Sequence, residues 1–179
     1  MLAQSIGLAK EIETLTESAM RGDASFERNF RTRVELLKEI PVSKACAIAA
    51  QIPLHEKIVA FIQEHPHRCM IVTGNLDVWI TPMIDKLGMQ GRCFCSRASV
   101  CQDYLTSITT VLDKAAVCDL LPRPFVAIGD GKNDVDMLKA AEIGIAFGGV
   151  HQPSKELLAV ADMVIWEENE LVDLLKTLL

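Results

Sequence analysis

The sequence predicts an α/β fold in which helices cover both faces of a parallel sheet, and three observations support this. From residue 69 onward, short apolar runs alternate with segments of helical period. The first 53 residues contain helical patterns only. The chain has 179 residues, 50% apolar and 23% charged, which suits one core with a small accessory subdomain. We therefore predict a helical subdomain over residues 1–53 and a sheet-containing core over 54–179.

The N-terminal part is predicted to be helical because its apolar residues recur at helical spacing. Pro41 ends one of these helices, since proline has no amide hydrogen and clashes with the preceding turn. Ser43 is a suitable cap for the next. The predicted helices cover residues 6–38 with a break at 21–23, then 43–52 and 55–64.

The core is predicted to alternate strands with helices. Strands that are buried on both faces of a parallel sheet appear as short continuous apolar runs, which is the pattern found here. The predicted strands are 69–74, 92–96, 125–130, 143–148 and 162–166. The predicted helices are 78–87, 112–121, 134–141, a short one after Pro153, and 168–179.

Composition excludes several classes of protein. The net charge of −6 has the wrong sign for a protein that binds nucleic-acid phosphates. The apolar runs are far shorter than the roughly 18 residues of a membrane helix. The first residues, MLAQSIGLAKEIE, do not resemble a secretory leader, so we expect a cytoplasmic protein. The six cysteines include no CxxC pair, and we interpret them as reduced, small apolar residues rather than zinc ligands.

Polar residues whose side chains could bind a ligand or take part in catalysis follow two of the predicted strands. Thr73 and Gly74 end the first strand, while Asp130, Asn133 and Asp134 follow another strand in a glycine-rich turn. Each residue alone is common in turns or helix caps. Ligands of parallel sheets bind beyond the carboxyl ends of the strands, so the combination GDGxNDxxM at such an end indicates a functional site. Hydroxyl and glycine amide groups suit phosphate, and carboxylates suit Mg²⁺.

Three segments resemble motifs two, three and four of the haloacid dehalogenase superfamily: IVTG, the lysine in LDKAAVCDLL, and VAIGDGKNDVDMLKAA. The segment LTESAMRGDASFERNFRTRVELLKEIP is similar to the helical cap of the phosphoserine phosphatase family within it. The resemblance covers nearly the whole chain. It implies a three-layer Rossmann-like sheet, a C1-type cap formed by residues 1–53, and Mg²⁺-dependent hydrolysis of a phosphomonoester.

The same resemblance implies roles for four residues around the phosphoryl group. Thr73 and Gly74 would hold the group that is transferred. Lys114 would counter its negative charge, and Asn133 would contact the phosphate or the substrate. Thr73 and Lys114, together with the metal-binding Asp130, are the expected catalytic residues of this chain.

The metal and the organic part of the substrate involve four residues by the same resemblance. Asp130 would bind Mg²⁺, and Asp134 would support the metal site. Phe26 and Arg33 of the cap would close over the substrate, a small phosphorylated metabolite. The planar guanidinium of Arg33 can hold a carboxylate through two hydrogen bonds, which makes a substrate such as phosphoserine attractive.

The sequence departs from the family in one respect. The family's nucleophile is an aspartate in a DxDxT motif after the first strand, and this chain contains no such motif. Its only DxD is Asp134 to Asp136, which belongs to motif four. We therefore expect the chain as given to be nearly inactive. We favour a missing N-terminal segment, with Met1 an internal methionine; the alternative is a non-catalytic protein that binds phosphate and Mg²⁺ in a regulatory or interaction role.

The missing first strand also has a structural consequence. In the family it lies between the strand that ends at Thr73 and the strand that ends at Asp130. Without it, two rows of buried amides and carbonyls would lack partners, each at a cost of about 1 to 3 kcal/mol. We therefore predict that the two flanking strands pair directly, or that a homodimer or strand exchange completes the sheet.

Overall fold

The structure of residues 26–179, a computed structural model, contains eight α-helices and six strands. The helices are α1 (Phe26–Leu37), α2 (Val42–Ala50), α3 (Glu56–Glu64), α4 (Asp77–Leu87), α5 (Lys114–Val117), α6 (Val135–Ala140), α7 (Lys155–Leu158) and α8 (Glu168–Thr177). The strands are β1 (Ile71–Leu76), β2 (Cys93–Cys101), β3 (Tyr104–Thr110), β4 (Val126–Gly129), β5 (Ile143–Phe147) and β6 (Met163–Ile165). The predicted helices before residue 26 and the break at 21–23 lie outside the described residues.

The described chain forms two compact units. One consists of residues 26–53 and 69–112, and the other of residues 54–68 and 113–179. Each unit has its own three-stranded sheet, with strand orders β1-β2-β3 and β4-β5-β6. The predicted α/β class with parallel strands between helices is confirmed.

In the first unit, β1 and β2 are parallel, with Ile71 beside Cys93 and Thr73 beside Cys95. The register then shifts between Thr73 and Leu76, so the end of β1 departs from regular pairing. Phe30, Val34 and Leu37 of α1 pack with Leu76 and Trp79 in the core of this unit. The same core contains the buried side chains of Ile40, Ala45 and Leu105. The helical spacing of Phe30, Val34 and Leu37 follows directly from the amphipathic pattern of the sequence.

The pairing of β2 with β3 corrects the prediction of an all-parallel sheet, because these two strands are antiparallel. The sequence-based strand at 92–96 was too short, and β3 was not predicted. Gln102 and Asp103 form the tight turn with φ of 48° and 71°, which a two-residue hairpin requires. The segment YLTSITT is rich in β-branched residues, and this is the signal that could have revealed β3.

Asp103 also joins the hairpin to α2. Its carboxylate accepts hydrogen bonds from the Ser43 amide at 2.9 Å and the Ser43 hydroxyl at 2.5 Å, and its carbonyl accepts one from the Val42 amide. The prediction that Ser43 caps this helix is wrong: α2 begins at Val42, and the Ser43 hydroxyl donates to Asp103 instead. The hairpin turn therefore supplies the acceptors at the start of α2.

The second unit is built on a parallel sheet. β4 pairs with β5 through Val126 and Ile143, and β5 pairs with β6 through Ile145 and Met163. Ile145, Ile165 and Leu171 form its buried centre. In the same unit, α3 and α8 are joined by a hydrogen bond from the Lys57 amide to the Glu168 carboxylate.

Two further expectations need correction. The helix predicted over 112–121 is shorter: α5 covers four residues and continues as a 3₁₀ turn over Cys118–Leu120. Among the described strands, β1 pairs only with β2 and β4 only with β5, each within its own sheet. The prediction of direct pairing between β1 and β4 is therefore wrong, and completion of the sheet by a further strand stays a prediction.

Within residues 26–179, no helix combines the length and apolar content needed to cross a bilayer. All six cysteines are free thiols. No group of three potential metal-ligating His, Cys, Asp or Glu side chains occurs in this part of the chain.

Candidate active site

The predicted site residues are divided between the two compact units. Phe26, Arg33, Thr73 and Gly74 lie in the first unit. The predicted residues Lys114, Asp130, Asn133 and Asp134 lie in the second.

The end of β1 is shaped by Thr73 and its neighbours. The Asn75 amide donates a hydrogen bond to the Thr73 hydroxyl oxygen at 3.2 Å, which folds the threonine side chain over the turn. A hydroxyl that accepts such a bond keeps its own hydrogen for another acceptor. The register shift after Thr73 takes the next backbone groups out of regular pairing with β2. The turn therefore presents a hydroxyl donor at the carboxyl end of a strand.

Ser96 fixes the other side of this turn, and sequence analysis did not identify it. Its side chain is fully buried and donates to the Gly74 carbonyl at 2.8 Å. The Ser96 oxygen also accepts a hydrogen bond from the Leu112 amide at 3.0 Å. Ser96 thus positions Gly74 without being exposed itself. The strand around it, CFCSRASVC, contains other polar residues, so the sequence alone does not single out Ser96.

Phe26 of α1 lies directly against Gly74. A Cβ atom on residue 74 would come within 2.4 Å of Phe26 Cζ, so only glycine allows the ring to occupy this position. Phe26 also stacks on Phe30, with ring centroids 5.8 Å apart. The structure therefore brings the predicted cap residue Phe26 together with the predicted phosphate-binding residue Gly74.

Arg33 lies two helical turns after Phe26 on α1. Its side chain is partly buried, and burial lowers the pKa of its guanidinium group. Because arginine titrates far above neutral pH, it remains charged. A partly desolvated cation attracts an anionic partner more strongly than an exposed one.

The turn after β4 is organised by Asp134. One of its carboxylate oxygens, Oδ2, accepts hydrogen bonds from the backbone amides of Asp130 at 3.2 Å and Gly131 at 3.0 Å. A Cβ atom on Gly129 would lie 2.6 Å from the Asp134 side chain, so the glycine makes room for this carboxylate. The motif GDGxND therefore folds around the side chain of its own last residue.

The other oxygen of Asp134 holds Lys114. The Lys114 Nζ atom lies 2.5 Å from Asp134 Oδ1, and the two side chains are only 12% and 4% exposed. Lys114 is the first residue of α5, whose preceding Asp113 caps the helix by accepting from the Ala115 amide. The structure thus joins two predicted site residues that are 20 positions apart.

Asp130 and Asn133 are the accessible members of this turn. Asp130 is exposed, and its carboxylate accepts no hydrogen bond from the described residues; its backbone carbonyl accepts from the Ser154 amide at 2.9 Å. The Asn133 amide oxygen folds back to Gly131, where a Cβ atom would come within 2.6 Å. Asp130 therefore offers a carboxylate to a ligand, while Asp134 is engaged on both oxygens.

The carboxylate oxygens of this turn are ligands that fit Mg²⁺. This ion prefers oxygen ligands and is commonly held by one or two carboxylates, with water and substrate phosphate completing its coordination. The unbonded carboxylate of Asp130 meets the first requirement. Asp134 lies in the same turn, and its role as a second ligand stays a prediction because Lys114 and two amides occupy its oxygens here.

Family profiles and curated relatives agree with the sequence resemblance. A profile of haloacid dehalogenase-like hydrolases matches residues 5–139, and a second such profile matches residues 108–173. The phosphoserine phosphatase of Archaeoglobus fulgidus is 32% identical over 184 residues, which cover 94% of this chain and 52% of the relative. The phosphoserine phosphatase of Methanocaldococcus jannaschii is 30% identical over 190 residues, which cover 98% of this chain and 87% of that relative. The chain thus spans about half of the first relative and most of the second.

Solved structures give the same result. The phospho-aspartyl intermediate analogue of a phosphoserine phosphatase superposes with a TM-score of 0.81 at 28% identity, covering 98% of this chain and 88% of that one. A substrate-bound phosphoserine phosphatase complex superposes with a TM-score of 0.77 at 30% identity, with the same coverage. The chain therefore belongs to the haloacid dehalogenase-like hydrolases, and both curated relatives named above are phosphoserine phosphatases.

Proposed function

We propose that this chain provides the phosphate-binding and Mg²⁺-binding part of a hydrolase that acts on a small phosphomonoester such as phosphoserine. The observation that carries the proposal is the turn after β4. In it, Asp134 holds both the backbone and Lys114, while Asp130 keeps an exposed, unbonded carboxylate. One of the two carboxylates is thus held in hydrogen bonds, and the other is open to a ligand. This arrangement suits a site that binds a cation beside an anion.

The proposed phosphate contacts come from groups with a hydrogen to donate. Thr73 retains its hydroxyl hydrogen after accepting from Asn75. Lys114 has three ammonium hydrogens, of which Asp134 Oδ1 takes one. Gly74 allows close approach of the backbone, and Asn133 adds a side-chain amide. Donors fixed in place before the reaction stabilise the charge of a phosphoryl group without having to reorganise.

Asp130, with Asp134 as a second carboxylate, would hold the metal ion. Bound Mg²⁺ would neutralise charge on the phosphoryl oxygens and orient the group. The cap residues Phe26 and Arg33, in the proposed cap subdomain of residues 1–53, would cover the organic part of the substrate. Arg33 suits a carboxylate, which favours phosphoserine over phosphomonoesters that lack one.

Turnover through a phospho-aspartate requires a nucleophilic aspartate, and the 179 residues contain no DxDxT motif. We therefore expect the chain by itself to bind substrate with little or no hydrolysis. The second candidate function, a non-catalytic phosphate-binding protein with a regulatory role, is favoured by the same missing motif.

Calorimetric titration tests the binding half of the proposal. O-phospho-L-serine is expected to bind the chain in the presence of Mg²⁺ and to bind much more weakly without it. Asp130→Asn should abolish the effect of Mg²⁺ and leave the melting temperature unchanged, because the Asp130 carboxylate has no hydrogen bond to lose within the described residues. Binding that is indifferent to Mg²⁺ would contradict the proposal.

The DNA ahead of the Met1 codon separates the two candidate functions. If it continues in frame through an apolar strand that ends in DxDxT, the longer protein should release phosphate from phosphoserine only with Mg²⁺, and Asp130→Asn should abolish this release. A stop codon there favours the binding protein. Failure of the longer protein to hydrolyse any of a broad panel of phosphomonoesters would contradict the enzyme.

We further propose a cytoplasmic location and an additional strand at the sheet. Six free thiols are typical of a reducing compartment, which supports the location. β1 and β4 each pair on one side only within the described residues, which supports uptake of a strand from a second copy or from another segment.

A further inference from the structure

Asn29 of α1 is a buried polar residue to which sequence analysis gave no role. Its side chain is 5% exposed, and its amide nitrogen Nδ2 has no hydrogen-bond partner within residues 26–179. The large majority of buried side-chain polar atoms in native proteins have a hydrogen-bond partner, so an exception calls for an explanation. Asparagine is also a poor helix former in the interior of a helix.

The position of Asn29 on α1 points to a ligand as the missing partner. It lies three residues after Phe26 and four before Arg33, and residues at these spacings share one face of a helix. Phe26, at one end of this row, lies against Gly74 next to Thr73. The row of three therefore begins at the carboxyl end of β1, where the proposed phosphate contacts start.

The chemistry of the row indicates what kind of group it would receive. Asn29 offers two amide hydrogens, and Arg33 offers a guanidinium whose pKa is lowered by burial yet which stays charged. Both are donors, and they lie one helical turn apart. A carboxylate has two oxygens with about four lone-pair sites, so one such group can accept hydrogen bonds from Arg33 and Asn29 together.

We propose that Asn29 is a third substrate-binding residue of α1, which donates a hydrogen bond from Nδ2 to the carboxylate of the phosphomonoester beside Arg33. This inference rests on the proposed function and extends it, because it makes Asn29 a determinant of specificity for carboxylate-bearing substrates. In the absence of ligand, the amide is buried at a loss of stability that substrate binding recovers.

Titration of two ligands that differ in one group tests the inference. O-phospho-L-serine carries the carboxylate, and O-phosphoethanolamine does not. With Mg²⁺ present, Asn29→Ala and Asn29→Leu should weaken phosphoserine binding about tenfold, as expected for one hydrogen bond to a charged group. Binding of phosphoethanolamine should change less than about twofold. Thr32→Ala, an exposed position on the same helix, is the matched control and should change neither affinity.

Thermal melting of the ligand-free variants gives an independent reading. Because the buried Nδ2 group has no partner in the described residues, Asn29→Leu should melt at the same temperature as the natural sequence or higher. A purely structural role would instead lower the melting temperature and weaken both ligands equally. A variant that fails to fold would equally overturn the inference, since it would mean that the amide is bonded within the protein.

The outcomes distinguish this inference from the function on which it rests. If the natural sequence binds neither phosphoserine, phosphoethanolamine nor inorganic phosphate with Mg²⁺, the proposed function fails and the inference fails with it. If phosphoserine binds the natural sequence and the Asn29 variants equally well, the inference alone is overturned.

Discussion

Lys114 Nζ lies 2.5 Å from Asp134 Oδ1 in the second unit, with side-chain exposures of 12% and 4%. The remaining oxygen of Asp134 accepts from two backbone amides of the GDGxND turn. The Asp134 carboxylate therefore holds both the backbone of the turn and the ammonium group of Lys114. Loss of either partner would leave a buried charge or buried amides without compensation.

Asp134→Leu is expected to lower the free energy of unfolding by about 3 to 5 kcal/mol, because it leaves the Lys114 ammonium buried without its partner. Urea denaturation, followed by circular dichroism, measures the effect. Lys132→Met is the control: Lys132 and Glu156 form an ion pair at 3.3 Å, with exposures of 47% and 42%, and such a pair contributes little. Equal denaturation midpoints for Asp134→Leu and Lys132→Met would contradict the structural role of the buried pair.

Gly129→Ala is expected to destabilise the protein by about 1 to 3 kcal/mol, since the new Cβ atom would push against a buried side chain. The contact is with Asp134, at 2.6 Å from its Cβ and Cγ. Gly131→Ala provides the comparison, because its Cβ atom would meet the outer amide oxygen of Asn133, which can rotate away. Chemical denaturation should show that Gly129→Ala loses more free energy of unfolding than Gly131→Ala. The reverse order would contradict the close packing of Gly129 against Asp134.

The contact between Asp103 and Ser43 should make stability depend on acidic pH. Hydrogen bonds from the Ser43 hydroxyl and then the Ser43 amide lower the pKa of Asp103 below its ordinary value. The ionised form is therefore favoured in the folded state, and its contribution is complete above about pH 4, where an unfolded aspartate titrates. It is lost as the pH falls through the lower pKa of the folded state.

The melting temperatures of the natural sequence and Asp103→Asn check this dependence. The variant should melt lower at about pH 6, and the difference should shrink towards about pH 3. Ser43→Ala should lower the melting temperature by part of the same amount. It removes the hydrogen bond from the Ser43 hydroxyl, which has the larger effect on the pKa of Asp103, and keeps the one from the Ser43 amide. A difference that grows as the pH falls would have the wrong sign for this account.

The cysteines should differ in their reactivity. Burial, with a smaller effect of neighbouring Cys95, raises the pKa of Cys93 to about 12, so almost no thiolate exists at neutral pH. Cys101 is exposed. Iodoacetamide at about pH 8 should therefore label Cys101 first and leave Cys93 unmodified in the folded chain. Mass spectrometry identifies the labelled residues, with denatured protein as the control; equal labelling rates would contradict the burial of Cys93.

Sequence analysis predicted the elements that depend on local pattern. Apolar runs ending in Thr73 and Asp130 identified two strand ends, because buried parallel strands have no polar face. The hairpin of β2 and β3 was missed, since an exposed antiparallel strand such as Tyr104–Thr110 has neither a continuous apolar run nor a glycine at its turn. Hairpins of this kind depend on tertiary packing more than on pattern.

The roles of individual site residues were predictable to different degrees. The carboxylate of Asp130 predicted a metal site, and the family resemblance implied that Lys114 faces a phosphate, but neither indicated that Lys114 pairs with Asp134. Such long-range pairing is decided by the fold. The buried roles of Ser96 and Asn29 were equally hidden, because a polar residue in an amphipathic segment gives no sign of whether it is exposed.

The central proposal is that the second unit binds a phosphoryl group through Lys114 and Asn133 beside a cation held by Asp130. A crystal structure of the protein grown with Mg²⁺ and phosphate tests it most directly. The account predicts a tetrahedral anion within hydrogen-bonding distance of Lys114 Nζ, and a metal ion coordinated by Asp130. Phosphate bound away from Lys114, or an Asp130 carboxylate without a cation under saturating Mg²⁺, would contradict it.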